Sequence, residues 1–306
     1  MYFSEHFLVH PLERFVKMCY TSVLLSTITQ GGRIFAMDKI KRNERLAAMT
    51  QILTTSPNRI FTLSHFCELF STAKSTVSED VAILQETMNQ FHLGKLETVT
   101  GAAGGVRYRP IGLKSANREF VEGICARLRE PGRHLPGGYL YFSDILSDPA
   151  LVQGMGTLIA SQYYDFHVDF VLTMETKGIP VAMMTANALR VPLIIARHAT
   201  KVYEGSAVNI SYVSGSGNIE TMALSRRAVR EGQKCLIVDD FMRGGGTARG
   251  MIELMKEFSI TVMGICFVLA LENPKHRSIE GEKSLMILRD IKEGQPLDIR
   301  PADWIE

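Results

Sequence analysis

The chain has 306 residues, more than one ordinary domain holds, and 46% of them are hydrophobic, which excludes a disordered chain and makes two domains the default. A formal net charge of +2 gives no general signal for nucleic-acid binding, so any DNA-binding surface has to be local. The five cysteines are scattered, form no CxxC pair and join no Cys/His cluster, so neither a disulfide framework nor a metal site is predicted.

The first 36 residues fit the rest of the chain poorly. A short apolar run follows Lys17 but lacks a small-residue cleavage site, which argues against a secretory signal peptide. Met37 begins a clean charged helix, and we hypothesise that residues 1–36 are an extension that is disordered or absent in the cell. No apolar run approaches the ~20 residues that span a bilayer, so we expect a cytoplasmic protein.

Three helices are predicted between residues 39 and 90. Apolar residues recur at helical spacing over residues 39–54, and the other faces carry basic side chains, namely Lys39, Lys41, Arg42 and Arg45. Thr62 is placed to cap a second helix, which turns Leu63 and Phe66 inward. A third helix opens with polar turns at residues 73–80 and continues with apolar residues to about Met88.

The third helix has the layout of the recognition helix in a helix-turn-helix. In that motif the N-terminal side chains enter the major groove, while later residues pack on the other two helices. The candidates for contact with phosphates or base edges are Lys74, Ser75, Thr76 and Ser78. Lys41 and Arg42 of the first helix add candidate phosphate contacts.

Residues 96–110 predict a β-hairpin with a glycine turn, which after a helix-turn-helix is a wing. Strand alternation places Arg107 and Arg109 on one face, where they would grip phosphates or the minor groove. The alternative is an exposed edge whose charges prevent further strand pairing. Together these elements predict a winged-helix DNA-binding domain over residues 37–113 and a second domain over residues 114–306.

The second domain shows buried strands that end in polar turns. A strand at residues 168–174 is followed by Thr176, Lys177 and Gly178 and then by a helical stretch at residues 179–189. This turn is suited to binding a diphosphate, although by itself it is also compatible with a solvent-exposed turn that binds no ligand. Further strands are predicted at residues 191–197, 262–271 and 284–289, and a helix at residues 220–230.

The most informative stretch begins at Cys235 as an apolar strand and stops at two carboxylates. Its polar part consists of Asp239, Asp240, Phe241, Met242, Arg243, Gly244, Gly245, Gly246 and Thr247. Such a strand suits the centre of a parallel sheet, where ligands bind beyond the carboxyl ends of the strands. The two acids suit ribose hydroxyls, and the glycines allow backbone N–H groups to close on a phosphate at the start of a helix. The alternative is only a strand-to-helix turn with an N-cap.

This order of parts resembles the phosphoribosyl-pyrophosphate (PRPP) signature of type I phosphoribosyltransferases. The turn at residues 176–178 resembles the pyrophosphate loop of the adenine- and xanthine-type enzymes. The polar stretch at residues 198–217 matches the position of their mobile loop, and Lys201 and Tyr212 are expected at the pyrophosphate end. Arg243 and Gly244 stand where the enzymes usually carry small or hydroxyl residues, which favours phosphate binding without catalysis.

Joined to a winged helix, such a domain makes the chain similar to the purine operon repressors of Gram-positive bacteria, over essentially everything after Met37. Phe241 and the basic Arg243 are the most specific match. The resemblance implies an α/β chain, with an N-terminal winged helix-turn-helix and a C-terminal parallel-sheet domain of the type I phosphoribosyltransferase kind. It implies a homodimer that binds operators of purine synthesis and salvage genes and has no catalytic residues. Some relatives activate, and in some guanosine tetraphosphate competes for the effector site.

By the same resemblance, PRPP is the effector that releases operator DNA. Asp239 and Asp240 would hold its ribose, the loop from Arg243 to Thr247 its 5′-phosphate, and the turn at residues 176–178 its pyrophosphate. Mg²⁺ would accompany it, because adjacent phosphates chelate hard cations, and no other cofactor is required. Added negative charge near a DNA-facing surface is one route to release.

The alternative function is a catalytically active purine phosphoribosyltransferase whose N-terminal module does not bind DNA. The predicted cradle permits it, because phosphoribosyl transfer depends mostly on positioning and charge stabilisation.

Overall fold

The computed structural model describes residues 40–101, 104–136, 139–199, 205–214, 217–274, 277–289 and 297–305. The hypothesis about residues 1–36 and the expectation for Lys201 lie outside these ranges. From Arg42 onward the described chain forms one unit. Within it, every helix is too short or too polar to cross a membrane. The four described cysteines are free, and Cys125, Cys235 and Cys266 are buried.

The N-terminal part contains three helices and a hairpin, as predicted. These elements are α1 (Arg42–Thr54), α2 (Leu63–Phe70), α3 (Lys74–Gln90), β1 (Lys95–Val99) and β2 (Gly105–Arg109). The predicted cap is confirmed, because Thr62 Oγ1 accepts a hydrogen bond of 3.2 Å from His65 N. Strands β1 and β2 pair antiparallel, with Leu96 opposite Tyr108. The elements therefore have the order of a winged helix.

A buried ion pair crosses the core of this winged helix. Arg45 Nε lies 2.7 Å from Asp80 Oδ2, and both residues are buried, as are Met49, Leu53 and Val77 of the same two helices. The expectation that Arg45 lies on a polar outer face with the other basic residues is wrong. The hydrogen bond to Asp80 outweighs desolvation and raises the pKa of Arg45, so the pair ties α1 to α3.

The C-terminal part is built on a six-stranded sheet. Its strands are β5 (Phe170–Met174), β6 (Leu193–Ala196), β9 (Lys234–Met242), β10 (Thr261–Leu271), β11 (Lys283–Leu288) and β12 (Ile299–Pro301). The order across the sheet is β12-β11-β10-β9-β5-β6, and every pair is parallel except β11 with β12. The strands predicted at residues 168–174, 191–197, 262–271 and 284–289 are confirmed to within two residues at each end, and the expected parallel-sheet fold is confirmed. Strand β9 extends past its predicted stop at the two carboxylates to Met242, because Asp239, Phe241 and Met242 still pair with β10.

Helices cover one face of this sheet, and a helix with a hairpin covers the other. The preceding and crossover elements are α4 (Lys114–Leu128), β3 (His134–Leu135), β4 (Tyr139–Leu140), α5 (Ser143–Leu146), α6 (Pro149–Ser161), α7 (Ile179–Leu189) and α8 (Gly246–Glu257). Leu236 and Val238 of β9 pack with α4, α6 and α7, while Cys235 and Ile237 pack with α8 on the opposite face. This double burial explains why β9 is continuously apolar before Asp239.

The segment before β9 differs from the prediction. Strands β7 (Ala207–Val213) and β8 (Ile219–Ser225) form an antiparallel hairpin, so a strand occupies much of the predicted loop and the helix predicted at residues 220–230 is wrong. Val208, Tyr212, Met222 and Leu224 all turn into the core beside α8. Alternating burial at period two selects the strand, and that burial depends on the α8 surface.

Candidate functional site

The candidate site is a cleft at the carboxyl ends of β5 and β9. Its volume is about 340 Å³, and its lining includes Met174 at the end of β5, Glu175 directly after it and all nine residues from Asp239 to Thr247. Tyr139, His198, Tyr212 and Glu220 complete much of the wall. The parallel pairing of β5 with β9 brings the two strand ends side by side, as the sequence predicts.

Asp239 is the most deeply placed polar side chain of the cleft. It is 7% exposed, and its Oδ1 accepts hydrogen bonds from Asp240 N at 3.1 Å and Thr173 Oγ1 at 3.4 Å. Burial, reinforced by the charge of Asp240, raises the pKa of Asp239 well above its usual value. A raised pKa favours the protonated form of Asp239, which lowers the negative charge of the cleft and suits it to an anionic ligand.

Asp240 lies one residue further out and is only partly buried. Burial raises its pKa, while the Lys177 ammonium acts in the opposite direction. Two neighbouring carboxyls of unequal burial therefore share the end of β9. When Asp239 carries its proton, the pair is able to donate a hydrogen bond to one of two vicinal hydroxyls and to accept a hydrogen bond from the other.

The glycine loop leads directly into α8. Gly245 is the N-cap residue, with φ of 80°, a left-handed conformation that glycine adopts without strain. A Cβ on Gly246 would overlap the Val213 backbone carbonyl, so that position accepts no side chain. The glycine loop and the first residues of α8 line the cleft. The unpaired N–H groups and the dipole at a helix start favour binding of a phosphate.

The turn after β5 lies against Asp239. Gly178 is buried, and a Cβ there would overlap Asp239 Oδ1, whereas Thr176 and Lys177 are exposed. Lys177 Nζ lies 5.9 Å from the centre of the Phe142 ring. The peptide bond between Glu175 and Thr176 is cis. The structure thus brings this turn beside the two carboxyls, although only Glu175 of this segment lines the cleft itself.

Tyr212 lines the cleft on the side of the glycine loop. Its hydroxyl donates to Glu220 Oε2 at 2.9 Å, and it also hydrogen-bonds the Thr247 side chain. Burial raises its pKa to about 12. The ring packs on α8, where a Cβ on Gly250 would lie 3.0 Å from Tyr212 Cγ. The structure thus places Tyr212 in the cleft wall, and its contact with the pyrophosphate end stays a prediction.

Several lining residues were not predicted from the sequence, among them Glu175, His198, Glu220 and Tyr139. Glu175 Oε1 accepts from His198 N at 2.6 Å, and His198 Nδ1 lies 3.9 Å from Glu220 Oε2. Tyr139 lies under the Arg243 guanidinium, with 5.6 Å between its ring centre and Arg243 Cζ. The position of Glu175 directly after a strand was a usable signal. Tyr139 comes from a hairpin a hundred residues away and gave none.

The candidate DNA-contacting residues at the start of α3 are available. Lys74, Ser75 and Ser78 are exposed and Thr76 is partly exposed, while Val77 and Val81 are buried against the other helices. Lys41 is exposed just before α1. Arg42 is exposed as well, but its guanidinium lies 2.7 Å from Glu79 Oε2 of α3. The recognition-helix layout is therefore present.

The wing arginines share a face, but only one of them remains near solvent. Arg107 is partly exposed, with its Nε 3.1 Å from Glu97 Oε2. Arg109 is 4% exposed and donates to the Tyr164 carbonyl at 2.6 Å and to Asp165 Oδ1 at 3.0 Å. The prediction that Arg109 contacts DNA is wrong for this arrangement, because its guanidinium is buried against the C-terminal part of the chain.

Comparison with known families divides the chain into the same two kinds of domain. Residues 41–110 match the family described as "Bacterial purine repressor, N-terminal". Residues 142–295 match the phosphoribosyl transferase domain family.

Individual relatives cover most of the chain. It is 43% identical to the purine biosynthesis transcriptional repressor PurR of Bacillus subtilis over 83% of this chain and 89% of that protein. It is 40% identical to the purine biosynthesis transcriptional activator PurR of Lactococcus lactis over 81% of this chain and 92% of that protein. A xanthine phosphoribosyltransferase of Exiguobacterium is 32% identical over 47% of this chain and 77% of that enzyme.

Proposed function

The chain belongs to the family of bacterial purine biosynthesis regulators, and we propose that it represses purine biosynthesis and salvage genes and leaves operator DNA when PRPP fills its cleft. One observation carries this proposal. A winged helix with an exposed recognition-helix start and a phosphoribosyltransferase-type cleft occur in one unit of one chain. We place the protein in the cytoplasm, where chromosomal DNA and PRPP are found together.

The cleft supports PRPP as the effector. In this proposal Asp239 and Asp240 bind the ribose hydroxyls and the start of α8, with its Gly245 cap, binds the 5′-phosphate; the support is that all of them line one cleft. Lys177 beside Asp240 supplies positive charge for the pyrophosphate. Among the described residues, no group of three His, Cys, Asp or Glu side chains is able to hold a metal, so Mg²⁺ would arrive chelated by the PRPP phosphates. Guanosine tetraphosphate, which carries two diphosphates, would compete for the same groups.

The DNA surface consists of Lys74, Ser75, Thr76 and Ser78, with Lys41, Arg42 and Arg107 as phosphate contacts at its margin. Arg42 and Arg107 each exchange a carboxylate partner for a phosphate when DNA binds. A winged helix that reads a two-fold operator does so as a symmetric dimer, and we propose a homodimer here. Because the contacts are mainly to phosphates, affinity should fall steeply with salt.

The second candidate is an active purine phosphoribosyltransferase, which the match to that domain family and to a xanthine enzyme favours. Arg243 argues against it. Its guanidinium lies over Tyr139 at the rim of the cleft, beside the loop where the enzymes usually carry small or hydroxyl residues. An assay for nucleotide formation from PRPP with each purine separates the two candidates, since turnover at enzymatic rates supports the second.

The deciding experiment is a titration of the protein–operator complex with PRPP, monitored by fluorescence anisotropy. The wild type should release DNA, whereas Asp239→Ala and Asp240→Ala should bind DNA and require at least about tenfold more PRPP, a loss of about 1.4 kcal/mol. Asp303→Ala, at an 89% exposed side chain, is the matched control. Unchanged release in the two cleft variants would refute the site, and no release from the wild type would refute PRPP as effector.

A further inference from the structure

Two side chains attach the winged helix to the C-terminal part of the chain, and both bond to backbone carbonyls at or just beyond the ends of helices. Asn58 Nδ2 donates to the carbonyl of Leu189, the last residue of α7, at 3.0 Å. Arg109 Nη2 donates to the carbonyl of Tyr164, in the turn after α6, at 2.6 Å. The Arg109 guanidinium also lies 5.0 Å from the centre of the Tyr164 ring.

Asn58 belongs structurally to the wing. Its backbone N donates to the Tyr108 carbonyl of β2 at 2.7 Å, and its Oδ1 accepts from Arg109 Nε at 3.5 Å. Its φ is 57°, a left-handed conformation that asparagine tolerates better than most residues. Asn58 and Arg109 therefore form one attachment point, which holds the wing and the α1–α2 turn together.

Helices α6 and α7 form a single block below this attachment point. A Cβ on Gly156 of α6 would lie 2.6 Å from Met184 Cβ and 2.7 Å from Thr185 N of α7, so the two helices meet without a side chain between them. Close-packed helices of this kind shift together rather than deform.

The opposite end of α7 lies at the cleft. The helix begins directly after Gly178, whose Cα leaves no room for a side chain beside Asp239. Eleven residues of α helix span about 16 Å, which is the distance between the effector turn and the wing attachment along this element. One helix thus contacts the diphosphate turn at its start and the winged helix at its end.

We propose that Asn58 and Arg109 are positioning residues that couple the cleft to DNA binding, through movement of the α6–α7 block. A diphosphate bound at residues 176–178 shifts the start of α7, and the Leu189 and Tyr164 carbonyls transmit that shift to the wing. This proposal rests on PRPP being the effector. It requires that loss of the attachment abolish the coupling while each ligand still binds, because coupling is a property separate from either affinity.

The sharpest variant is Asn58→Gly. Glycine keeps the left-handed backbone and the hydrogen bond to Tyr108 while removing both side-chain bonds. Ser259→Gly is the matched control, because Ser259 has φ of 54° but lies after α8, away from the attachment point. Asp165→Asn is a milder variant, since Asp165 is 86% exposed and contributes one contact to Arg109.

The measurement is the operator Kd with and without saturating PRPP, together with the PRPP Kd by calorimetry. Effector coupling is typically about 5–150-fold, and the wild type and Ser259→Gly should show a factor in that range. Asn58→Gly should bind PRPP and free DNA within about threefold of wild type and show a coupling factor below about three, with Asp165→Asn in between. Hydrogen exchange adds a test without mutation, in which PRPP alone should change protection of the Asn58, Phe61 and Val106 amides.

The outcomes separate the two proposals. Absence of any PRPP effect on the wild type would overturn the effector function itself. Two results would overturn the coupling role of the attachment point without affecting the effector function. One is a wild-type coupling factor in Asn58→Gly, and the other is hydrogen exchange at the three amides that does not change with PRPP.

Discussion

The two ends of β5 are used in opposite ways. Beside the carboxyl end of β5, Asp239 of the neighbouring strand β9 is buried. Its hydrogen bonds are long, at 3.1 and 3.4 Å, and its pKa is raised. At the amino end, Arg109 is equally buried but holds short bonds to Tyr164 and Asp165, a few residues before the strand. In a ligand site, buried polar side chains keep hydrogen-bonding capacity that the protein itself uses only weakly. At an internal interface, the protein's own groups satisfy that capacity.

This arrangement also separates the effector cleft from the winged helix. The cleft lies at the carboxyl end of β5, around Met174. The attachment of the winged helix lies before Phe170 and at Leu189, which is at the amino ends of the strands. We therefore favour transmission through α7, as proposed above, over the direct repulsion between PRPP and DNA phosphates that the sequence suggested as one route.

The largest effect is expected at the carboxyl end, from Gly246→Ala. The added Cβ would overlap the Val213 carbonyl and displace the glycine loop, so PRPP affinity should fall at least about 100-fold, or about 2.8 kcal/mol. Calorimetry measures the loss, and operator affinity without PRPP should be unchanged. Gly123→Ala, at a helical position with open space around its Cβ, is the control. PRPP affinity within threefold of wild type would contradict a phosphate role for the loop.

At the amino end, the corresponding change affects stability. Arg109→Met leaves Glu97, Asp165 and the Tyr164 backbone carbonyl without their donor and should lower the free energy of unfolding by about 3 kcal/mol. Arg107→Met, at a side chain 23% exposed with one contact to Glu97, should cost less than about 1 kcal/mol. Urea unfolding monitors both. Equal losses of unfolding free energy in the two variants would mean that the hydrogen bonds of the buried Arg109 stabilise the protein no more than the surface contact of Arg107 does.

Asp239 should reveal its raised pKa in the pH dependence of stability. Because the folded pKa exceeds the unfolded value, the favourable contribution is fully present below about pH 4 and is lost as the pH rises through the folded pKa. Asp239→Asn should therefore gain stability relative to wild type as the pH rises above about 4, by up to about 1.4 kcal/mol per pH unit. Unfolding at several pH values tests this, with Asp303→Asn as the control. Parallel curves for wild type and Asp239→Asn would contradict it.

The smallest effect is expected at the exposed start of α3. Lys74→Ala should weaken operator binding a few-fold and reduce the slope of log affinity against log salt by about 1, because one phosphate contact is lost. Ser78→Ala should leave the slope unchanged, since it carries no charge. A slope equal to wild type in Lys74→Ala would remove this residue from the DNA surface.

Local patterns determined much of the fold and the core of the site. The Thr62 cap is a contact over three residues, and the apolar β9 strand and the run from Asp239 to Thr247 are each written in consecutive residues, so their sequence signals were sufficient. The parallel sheet then brings residues 176–178 beside Asp239, as the general rule for strand ends predicts.

Tertiary structure alone decided the partners of long side chains. Arg107 and Arg109 are alike in sequence, and one is buried only because Tyr164, 55 positions later, presents its carbonyl there. Tyr139 below Arg243 and the β7–β8 hairpin over α8 have the same origin. A side chain's environment depends on which distant surface packs against it, and neither residue type nor periodicity encodes that surface locally. The sequence by itself thus determined which functional side chains the protein has. Tertiary packing decided which of the charged ones remain accessible to a ligand or to DNA.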